Sequence, residues 1–597
     1  MITLNRLNLG ISVVFALALA ACGSNSAPGS DTAAGGTASM TPTSGGSGGA
    51  AVTAPETGGV AGPVDMVNPG AGGTTSVAMP AVTCANGESG KPAAQMLRRL
   101  SEAEYNNSLI DVFAADPVAW QKIQFVGDLR QSGKYSTYSA ALQVNTPWLS
   151  SLVDATFDKA QSLLTGAQAP TLLVAPCNAA AIDAACVTAM VQTYGYRLFR
   201  RPIADAEVTS YVGLFNQGVT TLAMDPMDAL SGTLAALMQS PNALYISELG
   251  TATGSSFALS GYELASILSY GLTGTTPSKA LLDSAGAGAL DTPDGIAAAT
   301  QTLINSPQGQ AHMSQFFLQW LSYDGAPYAA KDPNVYTLPN PVATAMVTET
   351  QMFVDQTYQT GGSLADLLTS PNTYVNASLA TFYGWPAAGL TDTAFTSTPR
   401  PAGQGIGLLA QGGFLTRAGS PNSSSPTQRG LFVLRQMLCK DVPPPPADVP
   451  VISPPAPGMT TRQRYETQHA VGSCGSCHSH LDQIGFGLEN FDGIGKYRTT
   501  EEGQAIDASG YLEDLNHTTF SGPEDLARKL AAAPEVAQCM AAQMTAYVLS
   551  VSVSDAMCIA PASAYTADPT PGAAPLSLAN VLTHVVDPAH LQTRAGP

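Results

Sequence analysis

Apolar residues recur at intervals of three and four over most of the chain beyond residue 84, and that period predicts helices. Ser101 and Glu104 have the spacing of a capping box ahead of Tyr105, Leu109, Ile110 and Phe113, which share one helical face, so a helix is expected to start there. Pro147 suits the first turn of a helix over 148–164; others are predicted over 179–199 and, after Pro202, over 205–215. Leu264, Ile267 and Leu268 repeat the period, as do Phe316, Phe317, Trp320 and Leu321. Further helices are expected over 346–358 and 364–368, another ends near Leu438 ahead of the proline run, and one or two more lie over 523–549. Strand-like alternation is scarce, so the fold class is mainly α, a multi-helix body with long loops.

Where the pattern breaks, the breaks are informative. Arg6 precedes an apolar run at 11–20, too short to span a bilayer and the length of a signal-peptide core. It ends in Leu19, Ala20, Ala21 and Cys22, which resembles the lipobox of bacterial lipoproteins. That resemblance implies a signal peptide over 1–21, acylation of Cys22 and, with Gly23 and Ser24 following, an outer-membrane destination. Residues 22–83 are almost wholly Gly, Ala, Ser, Thr and Pro; such a segment buries too little apolar surface to offset its ordering entropy and reads as a tether. Pro443 to Pro446 enforce a stiff, extended spacer.

Behind that spacer lies the motif Cys474, Gly475, Ser476, Cys477, His478. Two thiols and an imidazole in the order C-x-x-C-H are what covalent attachment of haem c requires: thioethers from the cysteines, and His478 as proximal iron ligand. Chance yields this pentapeptide roughly once in six hundred chains of this composition. A structural disulfide and a half zinc site are the alternatives, the latter needing His469 or His480. His469 is also the candidate for the far face of the iron, beside Met459, Met540, Met544 and Met557. Asp482, Glu489 and Asp492 read as loop carboxylates, Lys496 and Arg498 as surface charge or partners for haem propionates, and Gly485, Gly487, Gly493 and Gly495 as points where backbone lies close to a macrocycle.

The net charge of −19 argues against nucleic acid and against electrostatic binding to anionic lipid, leaving acyl chains as the means of membrane attachment. Export permits disulfides. Cys177 with Cys186 and Cys539 with Cys558 are near in sequence, leaving Cys84 with Cys439. No phosphate-binding loop, nucleophile elbow or HExxH motif is present.

The run from Cys474 to Arg498 resembles modules in large exported cytochrome-linked proteins of planctomycetes and myxobacteria, built of unknown-function families fifteen-eighty-seven, fifteen-ninety-five, fifteen-ninety-two, fifteen-eighty-eight and fifteen-eighty-five. Segments in the same order extend the resemblance: Arg99 to Asn107, Arg197 to Pro202, Leu264 to Tyr270, Gln319 to Leu321, Asn376 to Gly384, Gln428 to Gly430, and Leu438 with Cys439. It implies a helical exported body with one c-type haem in a C-terminal cytochrome c-like module. One departure stands out: the family has Asp-Pro after the motif where this chain has Asp482 and Gln483, so the support that a proline's carbonyl gives the proximal imidazole is expected from another carbonyl.

The expected organisation is a signal peptide (1–21), a tether (22–83), an N-terminal helical region (84–250), a central helical domain (251–400), a haem module (401–500) and a C-terminal region (501–597). Three functions follow. The first is a lipid-anchored monohaem cytochrome exchanging electrons with a redox partner protein. A haem-dependent oxidase or peroxidase acting on an extracellular substrate is the second. A surface-interaction or polysaccharide-binding scaffold with accessory haem is the third.

Overall fold

Ser101 caps its helix as its spacing predicts: its hydroxyl accepts from the Glu104 amide at 3.3 Å, and Glu104 Oε2 accepts the Ser101 amide at 2.8 Å. The computed structural model describes residues 93–125, 135–166, 169–323, 331–440, 442–443, 452–469, 472–559 and 576–595. The expected signal peptide (1–21) and tether (22–83), with Cys22, Cys84 and most of the proline run, lie outside the described residues.

The described residues are mainly α, and the predicted helices are present. They include Glu102–Val112, Thr146–Thr165, Asp205–Thr220, Gly261–Thr273, Pro307–Trp320, Asn340–Gln359 and Leu364–Thr369. The helix expected from 179 begins later, as Ala184–Phe199, because Asp183 is its cap and accepts from the Cys186 amide at 2.9 Å. The 523–549 stretch forms two helices, Gly522–Ala532 and Pro534–Leu549, with Pro534 opening the second. Strands are short, and their pairings are all antiparallel. Among the described residues no single helix is long and apolar enough to cross a membrane.

Among the described residues two large apolar cores account for most of the packing, beside two smaller clusters, one around Met346, Leu379 and Trp385 and one of Ile452, Tyr465 and Phe486. One large core gathers Trp148, Leu152, Val187, Leu198, Leu234 and Met238 from the helices between 100 and 246. The other gathers Leu268, Phe316, Trp320, Leu434, Leu481, Met544 and Leu582 from the rest. Tyr270 belongs to the first core although its helix feeds the second; its hydroxyl meets Ser108 Oγ at 2.8 Å. Near the C-terminus, strand Thr593–Ala595 pairs with Ser256–Ala258, and buried Arg594 reaches Glu248 Oε2 at 2.7 Å.

The cysteines bear out one expected pairing and correct the other two. Cys177 pairs with Cys186. Cys439 pairs with Cys539, which overturns both the Cys539–Cys558 and the Cys84–Cys439 assignments. Cys539 lies in the helix that packs against the Val433–Met437 segment just ahead of Cys439, which brings the two sulfurs together.

Candidate haem and metal site

The C-x-x-C-H motif lies in one helix, Gly472–Phe486. Its composition is poor for the purpose, with Gly472, Gly475 and Gly485 among several serines, so packing holds the helix where propensity would not. Leu481 and Ile484 are buried against the second core, and the helix lies on Pro426–Phe432 at backbone contact. A Cβ on Gly430 would come within 1.9 Å of the Leu481 carbonyl oxygen, and one on Gly485 within 2.0 Å of that of Pro426. The close approach expected at Gly485 is therefore helix against helix.

Spacing along this helix sorts the chemistry onto faces. Cys474, His478 and Asp482 follow one another at four residues, with Cys477 three residues after Cys474 and next to His478, so all four line one side; His480 points away. Cys474 and Cys477 are half-buried thiols, outside any disulfide. His478 is buried, and its Nδ1 lies 3.0 Å from Asp482 Oδ2, one turn on. The same oxygen lies 2.7 Å from Nδ1 of His469, at the end of the helix Thr461–His469, while Thr427 donates its hydroxyl to Asp482 Oδ1 at 2.6 Å.

Burial alone would raise the Asp482 carboxyl, but hydrogen bonds from His469 and His478 outweigh it and hold the group below the usual range. Asp482 is thus an anion with only acceptors to offer, and both imidazoles must donate Nδ1–H to it. The proton being on Nδ1, the lone pair of His478 is on Nε2, the nitrogen left to meet a metal. A carboxylate behind a ligating histidine is the usual support for such a site. Sequence reasoning missed this role. It placed Asp482 in a loop and sought a carbonyl, whereas the support for His478 is the Asp482 carboxylate.

His469 stands otherwise than expected. Its ring centroid lies 3.8 Å from that of His478. Ligands on opposite faces of a metal have nitrogens about 4 Å apart at ordinary metal–nitrogen lengths, with the rings farther out still. His469 is beside His478, flanked on its other side by Tyr465 at 5.0 Å, and does not face it across an iron. Together His469, His478 and Asp482 offer three ligand atoms, all within 4.8 Å of one another and all from buried residues. The methionine candidates divide: Met540 and Met544 are core, Met557 packs against it, and Met459 is exposed.

His480 has its own carboxylate, with Nδ1 2.7 Å from Asp514 Oδ2, and Asp514 in turn 3.6 Å from Lys440. The loop after the motif is held by charge. Arg429 donates to the carbonyls of Leu488 at 2.7 Å, Phe491 at 2.9 Å and Asp492 at 2.7 Å, and lies 3.3 Å from Glu489. Arg498 closes on Glu489 at 3.0 Å and Glu501 at 2.8 Å, and Asp492 accepts the amides of Ile494 and Lys496, each at 2.9 Å. Glu489 and Asp492 are thus structural, as expected of loop carboxylates, and Arg498 is engaged within the protein. The cleft nearby, about 210 Å³ between Arg462, Glu466, Glu501 and Asp507, is polar and smaller than an ordinary ligand pocket.

Comparison with known families identifies three segments. Residues 186–248 match PSD5, a protein of unknown function (DUF1595); residues 259–385 match PSD4 (DUF1592); residues 406–501 match PSCyt3 (DUF1588). The third contains the motif. No curated protein and no solved structure matches the chain.

Proposed function

Because the chain belongs with the proteins concatenated from the unknown-function domains DUF1595, DUF1592 and DUF1588, carried here in that order, we propose that it is a c-type haem protein of the bacterial cell envelope. In this reading one haem is bound covalently by Cys474 and Cys477, His478 is its proximal ligand, and electrons pass between it and a redox partner. A lipid on Cys22 anchors the body to the outer membrane through the 22–83 tether. The label PSCyt3, which hints at a cytochrome, favours it.

One observation carries the reading. Cys177, Cys186, Cys439 and Cys539 are paired, while Cys474 and Cys477 remain thiols one helical turn apart, next to an imidazole with its Nε2 lone pair available. The donor set fits haem c. When bound, haem supplies one-electron chemistry at iron. The chain's own part is to fix the His478 tautomer through Asp482, to keep both sulfurs on the side of the helix that His478 shares, and to hold the following loop through Arg429 and Arg498.

The test is the full chain matured in a host competent for haem c attachment. Haem should stay with the polypeptide through a denaturing gel and be lost from the Cys474→Ala, Cys477→Ala variant; haem retained by that variant would refute the assignment. A low-spin ferric spectrum supports electron carriage, and a high-spin form that binds cyanide supports catalysis. Cys22→Ser should move the protein from the membrane to the soluble fraction; a variant still sedimenting with membranes would contradict the anchor.

A second reading has its own observation. Two histidines and a carboxylate within reach of one ion are the ligand set of non-haem iron sites, and His469, His478 and Asp482 supply it. Under this reading the native protein holds one iron or zinc ion and no haem.

A further inference from the structure

Asp482 does more than orient its neighbour. A carboxylate accepting Nδ1–H from a ligating imidazole makes that imidazole a stronger electron donor, and the hydrogen bond behind an axial ligand is one of the levers by which a protein sets a haem potential. Asp482 is buried, lies one helical turn beyond His478, and has Oδ2 3.0 Å from His478 Nδ1. Two further donors draw on the same charge: His469 at 2.7 Å on the shared oxygen, and Thr427 at 2.6 Å on the other.

We propose that Asp482 is a positioning residue that sets the potential of the iron held by His478, and that His469 and Thr427 moderate it by sharing the Asp482 charge. This rests on the haem reading above. An electron-rich His478 stabilises ferric over ferrous iron, so the potential is lower than a backbone carbonyl in the same place would give. Every donor added to the carboxylate raises it again. His469 then acts through Asp482 and is not an iron ligand.

The inference makes variants move in opposite directions, which general loosening of the site would not do. In the full-length haem-loaded protein, Asp482→Asn replaces the anion by a neutral amide and should shift the midpoint potential upward, with Asp482→Glu recovering part of the difference. Thr427→Val, which keeps the shape and removes the hydroxyl, should shift it downward, as should His469→Phe. Haem attached but a potential unmoved in Asp482→Asn, or a shift of one sign in all three, would overturn the inference and leave the haem reading standing. Conversion of the ferric haem to high spin in His469→Phe alone would make His469 a ligand and overturn it too. Absence of covalent haem in the parent protein would bring down both readings together.

Discussion

His312 shows what burial does to a single titratable group. It is half-buried, its ring 4.7 Å from that of Tyr547, with Nε2 enclosed and, among the described residues, without a hydrogen-bond partner. Burial pushes its pKa from 6.5 down to about 4. Between those values the unfolded chain binds a proton that the folded chain refuses, so stability is lost as pH falls through that window. The loss attributable to His312 is about 3 kcal/mol, at 1.36 kcal/mol for each pH unit of the difference. Urea unfolding at pH 7 and pH 4.5 should show a steeper fall for the wild type than for His312→Gln; equal slopes would contradict the assignment. At the same scale, part of the site was legible and part was not. Cys474, Cys477 and His478 declare themselves by spacing. Asp482 is one helical turn beyond His478, and a helical reading of 472–486 would have linked them, but three glycines and several serines conceal that helix. His469 gives no such signal, because it reaches the same carboxylate from a different helix.

Among the elements, helices with a recognised cap or apolar period were read, the boundary moved where the capping side chain was not recognised, as at Asp183, and equally well-capped helices such as Pro226–Gln239 after Asp225 and Pro293–Ile304 after Thr292 were not read. Pairings across long separations were less accessible. The Cys439–Cys539 disulfide spans 100 residues and ties the end of the Val433–Met437 segment to the helix Pro534–Leu549. Proximity in sequence favoured Cys558 instead, since nothing local indicates which side of the helix Cys539 occupies. Cross-linking so long a loop restricts the unfolded chain and contributes up to about 5 kcal/mol. Replacing Cys439 and Cys539 by Ser should lower the thermal midpoint by several degrees, and a peptide map of the non-reduced protein should contain the 439–539 cross-link. A map joining Cys539 to Cys558 would contradict this arrangement.

Taken whole, the described residues pack mainly into two large apolar cores, with Tyr270 on a helix that contributes to both and Arg594 fastening the C-terminal strand to Glu248. The candidate site is embedded in the second core, on a helix whose glycines let it lie directly on its neighbour. That burial keeps Asp482, His469 and His478 away from water, which strengthens each of their hydrogen bonds and makes the site sensitive to single substitutions. The mainly helical class followed from hydrophobic period alone. The joining of residues near 590 to those near 250 did not, because short strands of three residues carry no readable pattern. The central claim is that this embedded helix carries one covalent haem, and the intact mass of the denatured, full-length protein from a haem c-competent host tests it most directly. The mass should exceed that of the processed polypeptide and its lipid by one haem. A mass without haem, with one equivalent of iron or zinc in the native protein that is lost in Asp482→Ala, would contradict the claim and favour the histidine–carboxylate metal centre.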